Sequence, residues 1–447
     1  MSDMLYDDSD TEHSPERVGM RNAKRILLGF VVAAFMGFFL LQHTDTLNAE
    51  STNIFPDLQK FTDCLDLIQK YYVEEVKSST LIDGAIKGMV SVLDPHSAYL
   101  TKEDYKEMQI STTGTFGGLG IEIGLRNGQL TIITPIEGTP AFTSGIRPGD
   151  RIIKIDSTFT NEMTIEDAVK LLRGPKGSKV KLTILRESQE KPIEVTIIRA
   201  IIHIDSVISQ MIEPGYGYIK VRNFQVDTSE AVRKAMQKMM PLKGLVLDLR
   251  YDPGGLLDQA IAVSDLFLSE GKIVYTDGRK PEDRTEYIAH KEGTFEGFPI
   301  VVLINGGTAS AAEIVSGALQ DNKRAVIVGV RSFGKASVQT IRPLSDGSAL
   351  KLTIARYYTP LGRSIQAKGI EPDVVVEQKA LVKEDAKAQT FVREKDLKSH
   401  LEPEGEGPAD TTEGSSGPVN LDKDYQLKYG LDMLKTWEVF HRIKKAA

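Results

Sequence analysis

Three apolar runs constrain the fold more than anything else in the chain: GLVLDLR (244–250), PIVVLING (299–306) and AVIVGV (325–330). None alternates apolar with polar residues, so each reads as a strand buried on both faces. Helical patterns lie between them, in LLDQAIAVSDLFL and in the stretch that begins at Ser310. YGYIKV and the helix SEAVRKAMQKMM precede them. Residues 205–380 are therefore predicted to form a layered α/β domain. Upstream, residues 113–200 switch to short β-runs (GLGIEIG, LTIITPI, DRIIKID, KVKLTILR, IEVTII) around one helix, TIEDAVKLLRG. Thr164 is its expected N-cap, with Asp167 at the capping-box position. That pattern predicts a small β-barrel or sandwich module. Residues 55–112 carry helical spacing, broken at DPHSAY. Residues 385–420 are rich in Glu, Lys, Gly, Pro and Ser and read as a flexible charged linker, and 421–447 read as an amphipathic helix.

The N-terminus carries its own signal. A basic leader (1–25) with Arg17, Arg21, Lys24 and Arg25 precedes an unbroken apolar run from Ile26 to Leu41. As a helix that run spans about 24 Å, against a hydrocarbon core of roughly 30 Å. Snorkelling and local thinning close the gap. Residues 26–43 are read as a membrane anchor in preference to a cleaved signal, because cleavage after Ala49 would place Leu47 where a small residue is favoured. In either case the basic cluster stays cytoplasmic and the rest is exported. The net charge of −7 argues against nucleic-acid binding, and a single cysteine, Cys64, leaves no intramolecular disulfide or CxxC site.

The chemistry centres on GGTASAAEI (306–314). Ser310 and Glu313 make an S-x-x-E capping box, the ordinary reading of such a serine. A serine at a strand-to-helix junction can also face a cleft beside helix N-terminal amides, with Gly306, Gly307, Ala309, Ala311 and Ala312 leaving room for a peptide backbone. None of the seven histidines sits in a motif-like context, though a spatially assembled Ser–His pair stays open. RSFGKASVQT offers another base. If that stretch is extended, Lys335 and Gln339 share one face, and a desolvated lysine can accept a serine proton. In LRYDPGG, the N–H groups of Gly254 and Gly255 can point into a cleft as an oxyanion hole, or simply form a strand-to-helix turn.

Taken together, DLRYDPGGLLDQAIAVSDLFL, NGGTASAAEIVSGALQD, RSFGKASVQT and YYTPLGRSIQAKGIEPDVVV resemble the carboxyl-terminal processing peptidases. These are the tail-specific Ser-Lys proteases of family S41. FGGLGIEIG and ITPIEGTPAFTSGIRPGDRIIKIDS resemble a PDZ domain. The resemblance implies a crotonase- or ClpP-like α/β core with an inserted PDZ β-barrel. It implies Ser310 as nucleophile, Lys335 as general base, Gln339 as the residue positioning Lys335, and an oxyanion hole from the backbone near Gly255 and Ala311. Leu119, Gly120 and Ile121 would receive the substrate C-terminus, and Arg173 is a candidate for signalling PDZ occupancy. No metal or organic cofactor is called for. Expected partners are proteins with apolar tails, a regulatory adaptor, the membrane and further copies of the chain; the expected location is a bacterial cell envelope, with the catalytic part in the periplasm. Two departures stand out: Ala336 replaces the usual glycine after the lysine, straining the loop if that position needs φ > 0, and Thr308 replaces a common serine. A catalytically silent PDZ scaffold and a crotonase-like acyl-transforming enzyme are the competing readings.

Overall fold

The computed structural model describes residues 54–126, 128–189, 191–378, 393–396, 421 and 424–446. The basic leader, the apolar run at 26–43 and most of the 385–420 stretch lie outside these residues. Among the described residues no helix is long and apolar enough to cross a membrane.

Two compact units meet in sequence at Asp83 and Gly84. In the first, helix α1 (Phe55–Tyr71) starts with Pro56 in its first turn and buries none of its residues. Helix α2 (Ser78–Ser91) follows. The chain then enters β1 (Ala98–Leu100) and α3 (Lys102–Thr113), whose Thr101 and Asp104 form a reciprocal capping box.

The β-rich module contains β2 (Thr115–Gly118), β3 (Ile121–Arg126), β4 (Gln129–Pro135), α4 (Pro140–Thr143), β5 (Arg151–Ile155), β6 (Thr158–Phe159), α5 (Ile165–Leu172), β7 (Lys179–Leu185), β8 (Ile193–Ile198) and β9 (Ala200–His203). Its sheet runs β3-β4-β5-β7-β8, which leaves β3 as a terminal strand, and α5 packs beside it. Leu130, Ile132, Ile152, Leu182 and Ile184 form the core at two-residue spacing along their strands. Thr164 caps α5 as expected, accepting from the Asp167 N–H at 3.1 Å.

The α/β unit adds β10 (Val207–Glu213), β11 (Tyr216–Val221), α6 (Thr228–Met239), β12 (Gly244–Asp248), α7 (Leu257–Asp265), β13 (Lys272–Gly278), β14 (Thr285–Ile288), β15 (Ile300–Ile304), α8 (Ala311–Asp321), β16 (Ala325–Gly329), β17 (Ser337–Pro343), β18 (Ala349–Tyr358), β19 (Val374–Val375) and α9 (Tyr425–Ala446). One sheet has the order β10-β11-β12-β15-β16-β19, parallel from β11 onward. The other is antiparallel, β1-β18-β13-β14, with β17 also on β18. The unalternating runs are explained by helices on both faces. Leu245, Leu247, Ile300, Val302 and Ile304 pack with residues of α6, α7 and α8, while Val246, Val301 and Leu303 pack under Leu427, Leu431 and Leu434 of α9. Three adjacent parallel strands, β12, β15 and β16, end together and send out the DPGG turn, the Ser310 loop and the Lys335 loop. The carboxyl ends of such strands are where α/β sheets place ligand sites.

The charged linker expected at 385–420 needs one correction. Arg393 and Glu394 are buried, and Glu394–Asp396 form a 3-10 turn. Hydrophilic composition fails there because Glu394 finds buried polar partners inside the domain.

Candidate active site

The loop after β15 is laced to the one after β12 by backbone and short polar side chains. Asn305 Oδ1 accepts from the N–H groups of Tyr251 and Gly307, both at 3.0 Å. Thr308 Oγ1 donates to the Leu249 carbonyl at 2.8 Å and accepts from Asn305 N–H at 3.0 Å, so threonine supplies the hydroxyl this position uses. Ala309 N–H donates to the Asp252 carbonyl at 2.9 Å. Ser310 follows with φ 54° and ψ −113°, a conformation a serine holds only under constraint, and is half-buried at the N-terminus of α8. Glu313 reaches back to the Ser310 N–H at 2.8 Å.

Across from the serine, Gly254 (φ 95°) and Gly255 (φ 147°) form the DPGG turn. A Cβ on Gly254 would lie 2.7 Å from the Ala309 oxygen and 2.9 Å from Ser310 Cβ; one on Gly255 would lie 2.2 Å from the Phe224 oxygen. The turn therefore presses directly against the Ser310 loop, which only glycine permits. Gly254 N–H is taken by Asp252 Oδ1 at 2.8 Å, whereas among the described residues no acceptor takes the N–H of Gly255 or Ala311. Those two amides are available to an anion.

Lys335 is held to Ser310 by two brackets. Buried Glu313 accepts from Ser310 N–H on one side, and from Gly334 N–H (2.8 Å), Lys335 N–H (2.9 Å) and Ser332 Oγ on the other. Burial pushes its carboxyl up to about 7, against four donors that favour the ionised form. Tyr357 is buried, and its single O–H is shared between the Ser310 carbonyl (3.0 Å) and the Lys335 carbonyl. Burial, with the neighbouring Lys351 ammonium, lowers the Lys335 amine to about 8, opposed by Glu394, Glu313 and Asp94. Among the described residues no hydrogen bond joins Ser310 Oγ and Lys335 Nζ.

The Ala336 question resolves in the alanine's favour. The left-handed residue is Gly334 (φ 102°), packed on the Ala367–Gly369 backbone, and Ala336 is not among the positive-φ residues. Its Cβ is buried and its N–H donates to Gln366 Oε1 at 2.9 Å. Gln339 is placed differently from the sequence expectation. Its amide donates to Ser337 Oγ (2.8 Å) and Thr353 Oγ1 (3.3 Å), not to Lys335. Strand β17 starts only at Ser337 and bulges between Val338 and Gln339, so period two does not carry over from Lys335.

No described histidine hydrogen-bonds Ser310. His96 contacts Glu394, His203 Asp205 and Asp227, and His290 Asp265, while His441 stacks on Trp437. His13, His43 and His400 lie outside the described residues. In the sequence Glu313 reads as a cap alone, and Tyr357, within YYTPLGRS, carries no expected role. A glutamate three residues after a serine carries a cap signal, and nothing in it reports the second bracket.

In the β-rich module, Leu119 is buried, and the Leu119 and Gly120 (φ 76°) carbonyls accept from Ala141 and Ile136 N–H. Thr139 Oγ1 also donates to the Gly120 carbonyl, at 3.1 Å. Ile121 opens the terminal strand β3. Arg173 ion-pairs with Glu107 on α3 and lies 4.7 Å from the Phe116 ring centroid. A surface depression of about 360 Å³ is lined by Gln129, Arg151, Phe159 and neighbours and includes none of these residues.

A serine at a strand-to-helix corner, beside two open amides and downstream of a small β-rich module, has the layout of a serine peptidase. Residues 215–376 match the model of peptidase family S41, 107–185 that of the PDZ domain, and 39–104 that of the activating protease CtpB N-terminal domain. The carboxy-terminal-processing protease of Bartonella bacilliformis is 42% identical over 92% of this chain and 96% of its own. The carboxy-terminal processing protease CtpA of Bacillus subtilis is 36% identical over 79% of this chain and 76% of its own. A solved photosystem II D1 C-terminal processing protease is 29% identical, covers 72% of this chain and 93% of its own, and superposes with a TM-score of 0.43. The chain belongs to the carboxy-terminal processing proteases of serine peptidase family S41.

Proposed function

We propose that this protease is a membrane-anchored endopeptidase that cleaves cell-envelope proteins near their C-termini through a Ser310–Lys335 dyad. The observation that carries the dyad is the bracketing of the Lys335 loop to the Ser310 backbone by Glu313 and Tyr357, with the half-buried Lys335 amine lowered to about 8 beside it. Neutral Lys335 takes the Ser310 proton, the alkoxide attacks the scissile carbonyl, and the Gly255 and Ala311 amides receive the oxyanion. Lys335 then protonates the leaving amine, and water resolves the acyl-enzyme by the reverse route. Gln339 serves through Thr353, which donates to Asp94, one of the carboxylates facing Lys335.

The PDZ module recruits the tail by β-augmentation on the terminal strand β3, with Leu119, Gly120 and Ile121 at the carboxylate end and no charge there to repel apolar tails. Arg173, joined to α3 and β2 through Glu107 and Phe116, is the candidate relay of occupancy. The apolar run at 26–43 with its basic leader supports a location on the periplasmic side of an inner membrane. Exposed Phe55 and Tyr71 on α1, and Trp437, Phe440 and Ile443 on α9, offer surface for self-association or an adaptor.

The reading is tested by a serine-directed phosphonate probe together with an apolar-tailed protein substrate. Labelling is expected at Ser310, and Ser310→Ala is expected to retain uncut tails; a cleaving Ser310→Ala variant would overturn the assignment. Gly254→Ala is expected to lower kcat by about 10²-fold, in the range of losing an oxyanion donor, because its methyl group pushes the Ala309–Ala311 backbone out of place. Unchanged kcat would show that the turn does not set the oxyanion site.

A further inference from the structure

Glu394 comes from beyond the segment that matches family S41, out of a stretch whose composition is that of a solvated linker, and it is fully buried. A buried carboxylate needs donors and countercharge. Its two oxygens each lie 2.6 Å from His96 Nε2, and Gln366 Nε2 donates to Oε1 at 2.9 Å. Gln366 is itself fully buried, and its Oε1 accepts the N–H of Ala336, the residue after Lys335. One side chain thus links Glu394 to the backbone of the lysine loop. His96 is anchored in turn, because Asp94 accepts from the N–H groups of His96 and Ser97, and from the hydroxyls of Ser97 and Thr353.

Charge points the same way. The groups acting on the Lys335 amine come from four elements: Lys351 on β18, Glu394 on its turn, Glu313 on α8 and Asp94 ahead of β1. Around Glu394 stand His96, Gln366, the adjacent Arg393 and the Tyr357 phenol.

We propose that Glu394 is a positioning residue of this active site: through Gln366 it fixes the Ala336 amide and with it the lysine loop, and its carboxylate is one of the acidic groups that act on the lysine amine. The proposal rests on Lys335 acting as the general base. Without the Glu394 charge the amine holds its proton less tightly, and without Gln366 the charge stays while the loop loses its tether.

The test is kcat and KM between pH 6 and 10 on the full chain, with a fluorogenic peptide ending in an apolar tail. It compares wild type, Glu394→Gln, Gln366→Ala and Lys335→Ala, with circular dichroism to establish folding. Glu394→Gln is expected to move the acid limb down by roughly one pH unit with KM unchanged. Gln366→Ala is expected to keep the midpoint and lower kcat about tenfold through misplacement of the loop. A Glu394→Gln profile that superimposes on wild type, or that falls with its midpoint fixed, overturns the proposal. Should Glu394→Gln not fold, an undiminished kcat in folded Gln366→Ala overturns it as well. Lys335→Ala separates the two layers: if inactive, a failed prediction condemns Glu394 alone, and if active, the dyad itself fails.

Discussion

Replacing Lys335 with alanine is expected to cut kcat by about 10⁴-fold or more while leaving the fold intact. The variant removes the proposed proton acceptor, whereas Glu313 and Tyr357 hold this loop through backbone groups that alanine keeps. Arginine should not rescue, since a guanidinium stays protonated throughout the accessible range. In wild type, the acid limb of the kcat profile is expected near pH 8, where burial and Lys351 set the amine. At pH 7 about a tenth of the enzyme then carries a neutral base. The same shift has a stability signature. The folded amine titrates at about 8 and the unfolded one near 10.5, so the unfolded chain binds more protons between those values and stability rises with pH across that window. Lys335→Ala removes that slope and, by removing a desolvated cation, should not lower the melting temperature. A variant that still cleaves, or that melts well below wild type, would contradict this account.

The second large effect is structural. Arg250→Ala is expected to cost about 3–5 kcal/mol, against a total of roughly 5–15 for a typical domain. Arg250 is buried, and its guanidinium binds both oxygens of Asp248 (2.9 and 2.8 Å), both oxygens of Asp424 (2.8 and 2.6 Å) and Gln426 Oε1 (3.0 Å). Asp248 is fully buried; burial pushes its carboxyl up, but Arg250 more than offsets this and holds it below its ordinary value. Truncating the arginine leaves that carboxylate with Tyr218 as its remaining side-chain donor and unfastens the start of α9. Lysine cannot reproduce two bidentate pairs and should rescue little. Removing the stranded charge as well, with Asp248→Asn, should recover part of the loss. Thermal melts decide the matter, and a single variant melting within two or three degrees of wild type would refute it.

Much of this was legible in the sequence for a physical reason. Strands buried on both faces write themselves as unalternating runs, and the loops at their carboxyl ends must carry Gly254, Gly255 and a small-residue cradle around Ser310. What stayed hidden depends on long-range pairing. Gln339 was misplaced because a bulge breaks the parity that the spacing from Lys335 assumed. Ala336 looked strained because the glycine requirement was assigned to the residue after the lysine, whereas the left-handed turn falls at Gly334. Glu394 looked solvated because its partners, His96 and Gln366, are far away along the chain. Tyr357 carries no local pattern at all, since its role exists only once β18 lies beneath the two loops.

The brackets at Glu313 and Tyr357 grip the peptide groups of Ser310 and Lys335, not their side chains. The protein has in effect built a socket whose alignment is indifferent to what is plugged into it. A cysteine at position 310 should therefore sit where the serine sits, which makes this corner a ready host for transplanted nucleophiles and for warheads chosen by their reactivity alone.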